Sequence, residues 1–367
     1  MARADAGPAS VRRGWRGANL LMLLVLAVAP ALARAQTDAQ CEAAGAVDGS
    51  PPVVELRIDN DLFGNQDQGY TNGVLLGFVS PNLKDYTDDR CLPAPARWLN
   101  AYLDWLHPRG FDQQNMVVRI GQVMYTPTDR EAVELIEDDR PYAGIFLVSL
   151  GYNARDGDRL RSTTLDLGMV GPSSRARETQ DLWHDLIGSE RFNGWDNQLG
   201  DELAFRLAHE RARRFPAKGV FGNPEGFGVD LIRHYGASLG TLATYVNAGG
   251  EVRFGWRLPD DFGTAPLRPA GENSAPAVRA RSAGHWSVHG FLSVDARLVL
   301  RDISLDGNTW KTSHSVDKEP LVSDAAVGVA LKRGRWKVAF TRYFRSREFE
   351  GQRDTPSYGS FSISRAL

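Results

Sequence analysis

The longest regular pattern in the chain runs from His285 to Asp302, where apolar and polar residues alternate. Trp286, Val288, Leu292, Val294, Ala296, Leu298 and Leu300 take one parity; Ser287, His289, Ser293, Asp295, Arg297 and Arg301 take the other. A period of two is a β-strand with unlike faces. The run is longer than most soluble strands, whereas about 9–11 tilted residues cross a bilayer. Its apolar face therefore suits lipid and its charged face a polar lumen.

The same period recurs. Trp336, Val338 and Phe340 oppose Lys337, Ala339 and Thr341; Leu165, Leu167 and Met169 oppose Thr164, Asp166 and Gly168; Phe361 and Ile363 oppose Ser360, Ser362 and Ser364. Further strands are expected at 53–60, 71–80, 115–125, 143–153, 199–214, 225–237, 240–256 and 320–332. The total is about twelve, an even number as bacterial single-chain barrels require. The 199–214 stretch also fits a helix, because Glu202, Arg206 and Glu210 recur at fourth positions while Leu203, Phe205 and Leu207 alternate. Between strands, 82–112 is long for a hairpin connection and holds Pro93, Pro95 and a short helix around Trp98–Leu106, and 258–283 reads as an exposed Pro-, Ala- and Gly-rich loop. The fold class that follows is all-β: a transmembrane antiparallel β-barrel of about 12 strands with short helices.

Composition adjusts this picture at the N-terminus. Arg12, Arg13 and Arg16 precede an apolar run from Leu20 to Ala29, and Ala33-Arg34-Ala35 resembles a cleavage site, so 1–35 is a signal peptide. The Arg12-Arg13 pair also fits twin-arginine export. Residues 36–52 then form an N-terminal arm and 53–367 the barrel domain. After the signal, no run approaches the 18 or so apolar residues of a membrane helix. A mean hydropathy of −0.34 does not exclude membrane strands, whose apolar half is hidden in alternate positions. A net charge of −2 gives no basic excess for nucleic acid. Two cysteines in an exported chain allow a Cys41–Cys91 disulfide or two thiols.

Four segments carry candidate chemistry. Between about 178 and 202 lies a polar, helical stretch in which Gln180 and His184 share a face, Gly188 supplies a stop and Glu190 follows. His184 either packs at the rim with a polar edge in water or acts as general base. The first strand ends in Asp59-Asn60-Asp61 and the next opens Gly69-Tyr70-Thr71-Asn72-Gly73. This imitates an EF-hand, but Phe63 and Tyr70 stand at ligand positions; the segment is a polar hairpin or one wall of a calcium site built from two strands and a distant helix. Gly236-Ala237-Ser238-Leu239-Gly240 has the nucleophile-elbow spacing but runs into another strand pattern instead of a helix. Asp138 to Gly144 is a charged turn leading a strand, or places Arg140 against an anionic head group.

In this order, Asn60-Asp61, Tyr70-Thr71-x-Gly73, Tyr125-x-Pro127, Asp139-Arg140, Gln180-x-x-x-His184-x-x-x-Gly188-x-Glu190 and Trp195-x-x-Gln198 resemble the lipid A 3′-O-deacylase family of Gram-negative outer membranes. The resemblance spans about residue 53 to the C-terminus. It implies a twelve-stranded barrel in the cell outer membrane, with an active site between the outer wall and a short helix near the outer leaflet. It implies a Ca2+-dependent ester hydrolase, acting as a monomer on lipid A of lipopolysaccharide among outer-membrane lipids. By matching position, Asn60, Asp61, Thr71, Gln180, His184 and Glu190 form the site, with Asp61, Glu190 and Thr71 as metal candidates. Arg130 and Arg140 are the candidates for substrate phosphates. An outer-membrane phospholipase and a non-catalytic porin-like barrel remain the alternatives.

Overall fold

A computed structural model describes residues 51–61, 69–83, 85–87, 92–110, 113–217, 225–263 and 286–367. The signal peptide, nearly all of the 36–52 arm and both cysteines of the Cys41–Cys91 pair lie outside the described residues.

Twelve antiparallel strands close into one barrel: β1 Val53–Asn60, β2 Gly69–Val79, β3 Gln113–Thr126, β4 Ala143–Asp156, β5 Arg159–Val170, β6 Glu202–Pro216, β7 Phe227–Gly240, β8 Ala243–Trp256, β9 Trp286–Asp302, β10 Leu321–Arg333, β11 Trp336–Arg345 and β12 Ser357–Ala366. Each strand pairs with its sequence neighbours, and β1 with β12 seals the ring from Val53↔Ala366 to Asn60↔Gly359. Closure leaves no open edge, the condition under which strands cross a membrane. Both described ends of the barrel chain therefore lie at one rim. The 199–214 stretch is strand, because its alternation pairs it with both β5 and β7. Gly236 to Gly240 closes β7, and a two-residue turn leads directly into β8, so no elbow helix forms.

Parity decides the two faces. Leu203, Leu239, Val294, Leu300, Leu321 and Val329 are exposed on the outward parity, which is the lipid-facing arrangement. The inward parity holds buried ion pairs: Arg57 with Asp59 at 2.7 Å, Arg206 with Asp166 at 2.7 Å, Arg253 with Asp230 at 2.6 Å and Arg345 with Asp324 at 2.7 Å. Breaking one such pair would cost about 3–5 kcal/mol, because the surviving charge would stay buried. Near the rim opposite the termini, Tyr358 stacks on Tyr343 at 4.6 Å and meets Tyr70 edge-on at 4.9 Å.

Among the described residues, three α-helices interrupt the strands: α1 Ala94–Tyr102, α2 Ala176–Ile187 and the single turn α3 Ile303–Asp306. Among the described residues, no helix is long and apolar enough to cross a membrane. Within 82–112, the described α1 lies on the side of the terminal rim, whereas α2 belongs to the opposite one. α1 therefore stands apart from the candidate site.

Candidate active site

The site is built on an outward row that ought to be apolar. On β2, Val74 is exposed, and Leu76 and Phe78 are half-buried, so even positions face out. The register aligns Leu56 with Leu76, Ile58 with Val74 and Asn60 with Asn72. Asn60 and Asn72 thus continue the lipid-facing columns, yet both are buried. The row extends through Asn72↔Met124 and Met124↔Gly144 across β3 and β4. Two amides on a lipid face need cover and partners.

α2 covers the β3–β4 end of that row. A Cβ added at Gly144 would collide with Cβ of Ala176 and Oγ of Ser174, so glycine permits the helix start to lie on the wall. Met124 packs with Tyr142, Ala176, Phe192 and Trp195 in one buried cluster. The chain enters α2 through a 3₁₀ turn, Pro172–Ser174, and Arg175 at φ 60°. That left-handed conformation is costly for a side-chain-bearing residue. Gln122 Nε2 donates to the Ser174 carbonyl at 2.5 Å and pins the turn to β3. Along α2, the buried positions Ala176, Gln180 and His184 recur every fourth residue. This stripe faces the wall, and a core helix would place apolar residues there.

Each polar member of the stripe is oriented. The indole N–H of Trp195 donates to Gln180 Oε1 at 2.7 Å, while Gln180 Nε2 is buried without a hydrogen-bond partner among the described residues. His184 Nδ1 lies 2.5 Å from the Glu190 carbonyl. A carbonyl only accepts, so Nδ1 carries the proton, and in the neutral ring Nε2 is the nitrogen with the free lone pair. Gly188, at φ 71°, ends the helix, and Ser189 N–H donates to the His184 carbonyl at 2.9 Å. The loop is then clasped to the helix by Arg191, whose Nε and Nη2 reach the two oxygens of Asp185 at 2.9 and 2.5 Å. Those hydrogen bonds hold the Asp185 carboxyl below its ordinary range, while burial pushes Asp181, on the neighbouring turn, up.

The expected site residues separate into three groups. Asn60, Asp61, Thr71, Gln180 and His184 are all buried; Gln180 and His184 lie on the helix seated over Met124 and Gly144, and Asn72 and Asn60 follow Met124 along the same outward row. Thr71 occupies the β2 bulge between Tyr70 and Asn72, and its hydroxyl meets that of Thr126 at 2.6 Å. Glu190 differs: its side chain is 71% exposed and meets Arg130 Nε at 3.3 Å, so its carbonyl, not its carboxylate, touches His184. Arg140 is elsewhere again, buried at the inner rim between Glu348 and Ser304, both at 3.0 Å, and over the Tyr125 ring. Asn72 and Trp195 are the residues that sequence reasoning did not assign to the site; the parity of Ile58 and Val74 signals the first.

Among the described residues, no three histidine, cysteine or carboxylate side chains cluster as metal ligands. A hard cation at the wall would rely on oxygens of Asn60, Asp61, Thr71 and Asn72, a donor set of one carboxylate, two amides and a hydroxyl that suits calcium. The buried Oδ1 of Asn72 has no hydrogen-bond partner among the described residues and fits that use.

The family model described as outer membrane protein LpxR matches residues 20–367. LpxR from Salmonella typhimurium is similar in fold, with a TM-score of 0.64 at 17% identity, over 86% of this chain and all of that one. The β domain of the Bordetella autotransporter BrkA is more distant, with a TM-score of 0.39 at 10% identity, over 87% of this chain and all of that one. No curated protein matches by sequence. The chain belongs to the LpxR family of outer membrane proteins.

Proposed function

We propose that the protein is an outer-membrane lipid A deacylase that hydrolyses the ester of the 3′-linked acyloxyacyl chain with a water activated by His184. The observation that carries this reading is the buried polar stripe of α2, Gln180 and His184, on a helix seated over Gly144 and Met124, whose outward row continues into the buried Asn72 and Asn60. A site on the outer wall, opposite the terminal rim, is open to a lipid arriving sideways through the leaflet. A lumenal site would not be.

The residues support a single-displacement hydrolysis. His184 Nε2 takes a proton from water as its oxygen attacks the ester carbonyl. Gln180 Nε2, held by Trp195, is free to donate to the oxyanion. Collapse breaks the acyl–oxygen bond, and the proton returns from His184 to the departing sugar oxygen, giving an acid and an alcohol. Asn60, Asp61, Thr71 and Asn72 would hold calcium, which when bound polarises the carbonyl and steadies negative charge. Arg130, at the rim beside Glu190, is the cation placed to meet a substrate phosphate.

The test is the mass of lipid A extracted from a Gram-negative host expressing wild type or His184→Ala. Loss of an acyloxyacyl mass with wild type alone, suppressed by calcium chelation, supports the proposal. Unchanged lipid A from folded, calcium-supplied wild type sinks it, and altered phospholipids instead would identify a phospholipase.

A further inference from the structure

The segment between β2 and β3 has an unusual relation to the wall. β2 ends at Val79, paired with Val53, so the segment leaves from the terminal rim. It does not stay beneath the barrel. Leu103 and Leu106 are buried in a cluster with Met116 and Tyr152, which pair across β3 and β4. Tyr152 has the parity of exposed Val148, so this cluster lies on the outer side. Asn100 fixes the helix there: its Nδ2 donates to the Tyr86 carbonyl at 2.7 Å, and its Oδ1 accepts from the Tyr152 hydroxyl at 2.8 Å. With both ends of the amide used, α1 is anchored.

The opposite face of the segment is aromatic. Trp98 is 73% exposed, Tyr102 75% and Trp105 68%, and the first two stack with centroids 6.4 Å apart. Three large rings held outward by an anchored helix form a patch that water does not favour. Elsewhere on the terminal rim, the strands supply such rings themselves: Phe227 opens β7, Trp256 closes β8, Trp286 opens β9 and Trp336 opens β11, all exposed on the outward face. That is an aromatic girdle at a membrane interface. Across β3 and β4, the corresponding outward positions, Met116 and Tyr152, are covered by the helix.

We infer that α1 and the turn after it form an in-plane interfacial element, with Trp98, Tyr102 and Trp105 seated in the phospholipid headgroup layer of the leaflet on the terminal side. The segment replaces the girdle where the wall lacks one, and its partner is a phospholipid surface. Tryptophan and tyrosine suit that layer because each has an apolar body and a polar tip. The inference rests on the barrel lying in a bilayer and on no catalytic role.

The experiment uses the full chain folded into phosphatidylethanolamine and phosphatidylglycerol vesicles, as wild type and as the W98F/W105F variant. Their difference in fluorescence isolates the two indoles. Lipids brominated high on the acyl chain should lower that difference signal by about half or more, and lipids brominated near the chain ends should lower it less, as expected for rings at the interface. Quenching by aqueous iodide without quenching by either lipid overturns the inference, as does stronger quenching from the chain ends. The remaining tryptophans of the girdle stay quenched in both proteins, so failure of the helix to meet lipid is distinguished from failure of the barrel to insert.

Discussion

The backbone carbonyl of Glu190 accepts the Nδ1 proton of His184 at 2.5 Å, while the Glu190 carboxylate turns outward to Arg130. The residue therefore acts on the proposed base through an atom that any amino acid supplies. His184→Ala should lower kcat by about 10²–10⁴-fold, the usual contribution of a positioned general base. Glu190→Gln should retain activity within about sixfold, because an exposed pair is worth roughly 1 kcal/mol or less. Both are read from initial rates on purified lipid A in detergent. A Glu190→Gln loss as deep as that of His184→Ala would restore the carboxylate to the chemistry.

Trp195 is a positioning residue, since it holds the Gln180 amide through one hydrogen bond and touches no reacting atom. Trp195→Phe should keep the barrel folded and cut kcat about 10–100-fold with little change in KM, because misplacing a group by about 1 Å costs that order. The split between kcat and KM separates this role from loss of substrate binding. Equal loss in kcat with KM raised in proportion would contradict it.

Gly144 tests whether α2 must lie on the wall. Alanine there would strike Ala176 and Ser174, and relieving such overpacking costs about 1–3 kcal/mol. The helix, held by few strands, should move before the barrel does. Gly144→Ala is expected to lose activity while keeping the heat-modifiable gel mobility of a folded barrel. Full activity would show that the helix seat is not part of the site.

Much of the barrel was legible because parity is a local property: the alternation at 286–300 and 336–340 needs no knowledge of neighbours. The polar outward row was legible in principle, since Asn60 and Asn72 fall in phase with Ile58 and Val74 once the hairpin register is set. Three features were not. Gly144 matters through a helix that starts 32 residues later, and residue type does not reveal the Glu190 carbonyl. In sequence Arg140 reads as part of a charged turn or as a cation for an anionic head group, yet its partner, Glu348, is 208 residues away.

The calcium proposed for the wall's donor set has its own test. Removing calcium by chelation should abolish hydrolysis, and readdition should restore it. Asn72→Ala should raise the calcium needed for half-maximal rate about tenfold while leaving the maximal rate within reach, as for supporting ligands of metal sites. Asp61→Asn, which removes the only carboxylate in the set, should raise it further. A calcium titration unmoved by either substitution would take the metal away from this wall.

The Arg191 clasp has a defined pH dependence. Hydrogen bonds from Arg191 depress the Asp185 carboxyl in the folded protein. Its contribution is thus fully present above the unfolded carboxyl value, about 4, and is lost as pH falls through the lower folded value. Between neutrality and about pH 4, the clasp stays closed. Activity lost in that window is therefore not caused by opening of the loop. Hydrogen exchange at Ser189–Asn193, corrected for intrinsic rates, should stay protected in wild type throughout that window and be faster at neutral pH in Asp185→Asn. Loop exchange that accelerates in wild type together with the acid loss of activity would assign that loss to the clasp instead.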